Sequence, residues 1–283
     1  MYTLIDGKLV SQAVKDRVKL EAASITEAGG KITLAVIIVG DDPASRVYVN
    51  NKKKACEYVG FESIEYALPE TVSQAELISL IEELNRREDV NGILCQLPLP
   101  KHIDKSAVIS SISPLKDVDA FTAHNVGKIM IGDYDFLPCT PAGIMEMLSY
   151  YHIEVKGKRC LVIGRSDIVG KPMAMLLMHS NGTVTIAHSF TENLKELTLQ
   201  ADIIVVAVKK PRFLSADMIK EGTVVIDVGI HRMENGKLCG DVDFDSVKEK
   251  CSYITPVPGG VGPMTIATLM QNTLKAYRIQ HKS

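Results

Sequence analysis

Apolar and polar positions along this chain follow two rhythms, short solid apolar runs and longer stretches with an apolar residue every third or fourth place. The run at 34–39, closed by Gly40-Asp41-Asp42-Pro43, predicts a buried strand. Ser45 then reads as the N-cap of a helix that stops near Gly60. A second strand is expected at 61–68, and Ser73 with Glu76 three places on is a capping-box signature. It opens a helix with Leu77, Leu80, Ile81 and Leu84 on one face, and a third strand follows at 92–97, stopped by Pro98 and Pro100.

Across 113–136 the pattern weakens into turn-rich sequence, which reads as a crossover between domains. Thr140 and Pro141 then supply an N-cap and a first-turn proline for a helix through Tyr151. Apolar runs at 159–163, 183–187, 203–208 and 224–228 recur at the spacing βαβ units need. Thr265 is expected to cap a last helix, with Ile266, Leu269, Met270 and Leu274 on one face, that returns to the first domain. The expected fold class is therefore α/β with two domains and a cleft between them. Residues 1–120 with 264–283 form an N-terminal α/β substrate domain, and 121–263 a Rossmann-like nucleotide domain on a parallel sheet.

Composition narrows the function classes. Hydrophobic residues at 46% and charged residues at 23% suit a soluble globular chain, and a net charge of −2 gives no basic footprint, so no nucleic-acid partner is expected. The six cysteines form no C-x-x-C pair and stand in no metal-ligand spacing with the seven histidines, which points to reduced thiols, a cytoplasmic protein and no metal. The N-terminal residues lack an apolar signal core and no apolar run approaches a bilayer's thickness, so neither secretion nor a membrane is expected.

Three stretches carry candidate chemistry. Between Thr255 and Thr265 lie three prolines and three glycines, a shaped backbone surface that reads either as a rigid turn or as a platform for a flat ligand. After the first strand of the second series comes Gly164-Arg165-Ser166-Asp167-Ile168-Val169-Gly170, placed where a Rossmann phosphate loop belongs though it is not G-x-G-x-x-G. The next strand ends in Ala187-His188-Ser189 with no carboxylate until Glu192. An acidic residue there would bind the ribose 2′-OH of NAD; a hydroxyl with Arg165 nearby suits the 2′-phosphate of NADP. In the first domain Tyr48 and Lys52 are one helical turn apart and share a face. Lys52 alone reads as one more surface lysine. Gln96, Asp117 and Asp119, however, would gather with it at the C-terminal ends of the strands, where enclosure lowers an amine's pKa toward neutrality.

Taken in order, Asp41-Asp42-Pro43-Ala44-Ser45, Tyr48 and Lys52, Gln96-Leu97-Pro98-Leu99-Pro100, Lys116-Asp117-Val118-Asp119, Cys139-Thr140-Pro141, Gly164 to Gly170, Asp227 to Ile230 and Pro256 to Pro263 resemble the bifunctional methylenetetrahydrofolate dehydrogenase/methenyltetrahydrofolate cyclohydrolase family over nearly the whole chain. The resemblance implies tetrahydrofolate derivatives as substrate, NADP as cofactor, a homodimer formed through the Rossmann domain, and a place in one-carbon metabolism. Lys52, Tyr48, Gln96 and Asp119 would be the catalytic residues. Tyr48, Lys52, Gln96, Leu97, Pro98, Asp119, Pro258, Gly259, Gly260 and Pro263 would bind folate, and Thr140, Gly164, Arg165, Ser166, Ile168, Ser189 and Ile230 would bind NADP. Four positions depart from the family pattern: Ala120 and Lys209 stand where glycine is usual, Thr122 where histidine is usual, and Phe190 where a basic residue is common. Two other readings compete, a short-chain dehydrogenase using Tyr48 and Lys52 and a dinucleotide-sensing binding protein. In the former family the tyrosine–lysine pair follows the nucleotide loop, whereas here it precedes Gly164.

Overall fold

The computed structural model describes residues 2–281. In chain order its elements are β1 (Thr3–Leu4), α1 (Gly7–Glu27), β2 (Thr33–Val39), α2 (Pro43–Val59), β3 (Glu62–Leu68), α3 (Gln74–Arg86), β4 (Gly92–Cys95), α4 (Lys105–Ser111), α5 (Ala123–Ile131) and α6 (Cys139–Tyr150). There follow β5 (Arg159–Ile163), α7 (Gly170–His179), β6 (Thr183–Ala187), α8 (Leu194–Gln200), β7 (Ile203–Val206), β8 (Thr223–Asp227), β9 (His231–Arg232), β10 (Leu238–Cys239), α9 (Phe244–Val247), β11 (Cys251–Ile254) and α10 (Val261–Gln280). These pack into two compact units, Gln12–Leu137 with Ile266–Ser283, and Met1–Ser11 with Pro138–Thr265. Two of the three divisions fall within α1 and α10 and the third just before α6, and they differ from the boundaries expected from sequence. One cause is β1, which pairs in parallel with β11 through Thr3↔Tyr253 and Leu4↔Ile254. A two-residue strand has no periodicity to read.

The first unit is built on a parallel three-stranded sheet in the order β3-β2-β4. Every residue of β2 and β4 is buried, as expected for strands covered on both faces. Leu77, Ile81 and Leu84 of α3 join Ile37 and Ile93 in one core, and the capping box at Ser73 and Glu76 is present. The N-cap of α2 is Asp42 rather than Ser45: its carboxylate accepts the Ser45 N–H at 2.7 Å, with Pro43 opening the helix. Gly60 ends it at φ 83°. Part of the stretch read as crossover is a helix, α5, capped by the Thr122 side chain and stopped by Gly132.

In the second unit six parallel strands run in the order β1-β11-β8-β7-β5-β6. Ile163, Ile204, Val206, Val225 and Ile254 share its core. Two expected caps move. Pro138 occupies the N-cap of α6, so Thr140 lies in the first turn, its hydroxyl 3.1 Å from that of Thr265. Helix α10 starts at Val261, inside the proline–glycine loop, and Thr265 sits a turn within it. Among the described residues no helix is long and apolar enough to cross a membrane, and no group of three or more His, Cys, Asp or Glu is placed to hold a metal ion.

Five of the six thiols are buried and the sixth, Cys239, is partly exposed. Burial pushes Cys56, Cys95 and Cys251 up to about 12. The tightest backbone approach is at Gly7, where an added Cβ would stand 1.7 Å from the Gly260 carbonyl oxygen. Gly7→Ala is therefore expected to cost about 1–3 kcal/mol or more, because only backbone can yield. A thermal melt reads the loss, and an unchanged midpoint would contradict this packing.

Candidate active site

Strand β4 stops at Cys95, and the next residue turns its side chain to use. The Gln96 N–H donates to Ile37 O at 2.8 Å, extending the ladder by one bond. Its amide nitrogen donates to Leu97 O at 2.7 Å, which orients the amide so that Oε1 faces and accepts from Lys52 Nζ at 2.8 Å. Lys52 projects from α2 and is only 9% exposed. Tyr48, one turn earlier, is 46% exposed and presents an open ring. Asp119 belongs to the same neighbourhood, since Asp119 and Lys52 act in opposite senses on the Cys95 thiol, whose rise is due first to burial. Pro98 is exposed beyond Leu97, across a cis peptide bond.

The loop carrying Asp119 is held by its neighbours. Ile93 donates to Lys116 O at 2.8 Å, and Ile93 and Asp117 form a parallel bridge beside β4. The Asp117 carboxylate is buried and accepts from Phe121 N at 3.2 Å, Thr122 N at 2.8 Å and Asn125 Nδ2 at 2.9 Å. Its role is thus to fix the turn. Lys116 is structural too: its buried ammonium donates to the Leu84 and Arg87 carbonyls, and burial lowers its pKa. From α10, Asn272 donates to Val118 O at 2.8 Å. Ala120 sits at φ 57°, the left-handed region that suits the glycine usual at this place in the family pattern.

In the second unit Gly164 has φ 138°, and a Cβ there would lie 2.5 Å from Ala207 O; one on Gly170 would lie 2.2 Å from Gly164 O. The turn closes only with glycine at both places. Ser166 Oγ accepts from Val169 N at 3.2 Å and Gly170 N at 3.3 Å, satisfying donors at the start of α7. Beside this turn is a cavity of about 380 Å³ whose lining includes Gly164, Arg165, His188, Ser189, Val208 and Lys210. Of the residues expected to bind nucleotide, Gly164, Arg165 and Ser189 thus meet at one cavity. Ser166, Ile168, Thr140 and Ile230 do not line it; Ile168 and Ile230 are exposed. The lining holds two cations and no carboxylate, a donor set that fits a phosphate-bearing nucleotide.

Lys210 was not among the residues singled out from sequence, and its neighbour Lys209 explains why. Lys209 adopts φ 58°, again where glycine is usual, so the chain turns before Lys210 and periodicity gives no guide to its direction. The Asp227 carboxylate accepts from Gly229, Asp241 and Val242 N–H, each at 2.9 Å, while burial pushes its pKa up to about 6. Pro258 is exposed after a cis peptide bond, Gly259 has φ 103°, Gly260 is buried and Pro263 half-buried.

A fully parallel sheet with a two-glycine βα turn beside a cationic cavity is that of a dinucleotide-binding α/β protein. Two family descriptions match the chain, "Tetrahydrofolate dehydrogenase/cyclohydrolase, catalytic domain" over residues 5–119 and "Tetrahydrofolate dehydrogenase/cyclohydrolase, NAD(P)-binding domain" over 138–281. A bifunctional protein FolD of Acetivibrio thermocellus is 59% identical over 279 residues, 99% of this chain and 98% of that one. Among solved structures, the bifunctional FolD methylenetetrahydrofolate dehydrogenase/cyclohydrolase of Campylobacter jejuni superposes with a TM-score of 0.97 at 49% identity, covering 99% of both chains. The Trypanosoma brucei enzyme, solved with NADP cofactor and inhibitor, gives 0.95 at 38% identity, covering 100% of this chain and 99% of its own. The chain belongs to the tetrahydrofolate dehydrogenase/cyclohydrolase family.

Because one buried carboxylate satisfies three donors around Asp119, Asp117→Ala strands all three. The expected cost is about 2–4 kcal/mol, at the upper end for hydrogen bonds to a charged group. Chemical denaturation measures it; a loss below about 0.5 kcal/mol would show that the turn stands without the carboxylate.

Proposed function

We propose that this protein oxidises 5,10-methylenetetrahydrofolate to 5,10-methenyltetrahydrofolate with NADP+ and hydrolyses the product to 10-formyltetrahydrofolate. The observation that carries the reading is the buried Lys52 amine on the Gln96 amide at 2.8 Å, in a chain whose relatives are named for both activities. NADP+, when bound, would supply the hydride acceptor. Gly164, Arg165 and Ser189 are assigned to its adenosine half, and Ser166, Ile168, Thr140 and Ile230 to the remainder by family resemblance.

Oxidation needs little acid–base help, because the lone pairs on N5 and N10 stabilise the cation left when hydride departs. Alignment dominates that step. Tyr48 is assigned to stacking on the pterin, Asp119 to its amino-pyrimidine edge, and Gln96, Leu97, Pro98 and the surface from Pro258, Gly259 and Gly260 to Pro263 to holding folate. Hydrolysis is different. Water adds to the methenyl carbon, the C–N5 bond then breaks, N5 takes a proton, and one proton is released overall. Lys52 takes the proton from water and Gln96 holds the amine in place. A cationic substrate beside the amine would favour its neutral form. A homodimer through the nucleotide unit is part of the same proposal, on the strength of the resemblance.

Lys52→Met is expected to lower methenyl hydrolysis by about 10²–10⁴-fold while hydride transfer persists. Methenyl absorbance would then accumulate during turnover. Hydrolysis at the parental rate would remove Lys52 from the mechanism. With Ser189 just past β6 and Arg165 in the turn after β5, both on one cavity that no carboxylate lines, kcat/KM should favour NADP+ over NAD+ by about tenfold or more, equivalent to about 1.4 kcal/mol. Parity between the two cofactors would overturn that assignment.

A further inference from the structure

The nucleotide cavity carries a second cation that the reading above leaves without a task. Arg165 is braced from one side: its guanidinium lies 5.4 Å from the centroid of the Phe190 ring. The backbone beneath that exposed ring is held, for the Phe190 N–H donates to His188 Nδ1 at 3.2 Å and the His188 N–H to Thr191 Oγ1 at 2.8 Å. Phe190 therefore lies against the arginine but adds no charge. A phosphomonoester carries a charge of about −1.5 to −2 at neutral pH, more than one guanidinium balances.

Lys210 lines the same cavity, and its backbone is anchored. The Asp241 carboxylate, with no solvent exposure, accepts from Val208 N at 2.7 Å, Lys209 N at 3.1 Å and Lys210 N at 2.9 Å, and His231 Nε2 lies 2.7 Å from its Oδ1. Three consecutive N–H groups on one carboxylate, with Lys209 at φ 58°, fix the turn after β7. The two lysines part there. Lys210 lines the cavity and Lys209 does not. Lys210 Nζ lies 5.7 Å from the centroid of the Phe213 ring, another cavity residue.

We propose that Lys210, positioned by Asp241, is a specificity determinant that brackets the 2′-phosphate of the dinucleotide opposite Arg165, in place of the basic residue that Phe190 replaces. This deepens the NADP reading and rests on it. A mobile ammonium suits the task, because it acts as a point charge while the arginine supplies the directed fork.

The test compares adenosine 2′,5′-bisphosphate with 5′-AMP, which differ only in the 2′-phosphate, by calorimetric titration of the full chain. Lys210→Met should weaken the bisphosphate at least tenfold, with 5′-AMP changed less than threefold, and the selective loss should shrink as salt is raised. Lys209→Met, which removes the same charge next door, should change either ligand less than twofold. Asp241→Asn should lower the bisphosphate-to-AMP affinity ratio with 5′-AMP binding retained, which general loosening of the fold would not do. An equal loss of both ligands in Lys210→Met would place the lysine on the shared 5′-phosphate, and an equal effect of Lys209→Met would reduce the case to a diffuse field. Either result overturns the inference. If the parent chain itself binds the two ligands equally, the NADP reading fails; if the parent discriminates and Lys210→Met still does, only the role of Lys210 fails.

Discussion

A parallel strand covered on both faces has no side on which to place chemistry, and that constraint organises this protein. Strands β2, β4, β7 and β8 are buried along their whole length. Most candidate functional groups therefore emerge where strands stop, while Tyr48 and Lys52 reach in from α2. Gln96 follows β4, Gly164 follows β5, Ser189 lies just past β6, the Val208–Lys210 turn follows β7, Ile230 lies beyond β8, and the proline–glycine loop follows β11. Both units obey one rule with different residues at the strand ends.

What keeps these ends in shape is a set of carboxylates spent on backbone. Asp42 opens α2, Asp117 holds the turn before α5, and Asp227 and Asp241 between them collect six N–H groups of nearby turns. Loops long in glycine and proline have few ladder bonds of their own, so a buried anion that accepts several donors at once is an efficient clamp. The same clamps shape the turns that carry Asp119 and Lys210, Asp117 the first and Asp241 the second.

Much of this was legible in the sequence, for definite reasons. The apolar runs of β2, β5 and β6 and the capping box of α3 rest on local patterns, and they appear where the patterns put them. The Lys52–Gln96 pair was legible because helix spacing and the strand-end rule both point to it. Other features depend on partners far along the chain. β1 exists because β11 accepts it, α5 because Thr122 and Gly132 bound a stretch that looked like turns, and the start of α10 because a loop passes directly into helix. Ser45 and Thr140 were plausible caps that lost to Asp42 and Pro138, a carboxylate reaching forward over the first turn of its helix and a proline two residues earlier. Left-handed backbone at Ala120 and Lys209 has no signal in residue type, and the direction of Lys210 was hidden with it.

The enclosed sulfur atoms have a use of their own. With burial pushing Cys56, Cys95 and Cys251 up to about 12, almost no thiolate forms at neutral pH, so alkylating reagents meet almost no nucleophile while the chain stays folded. Cys95 ends β4 just before Gln96 and Cys251 begins β11, so each unit contains its own clock. The rate at which each sulfur takes up reagent would time the opening of its unit, without any label being built in.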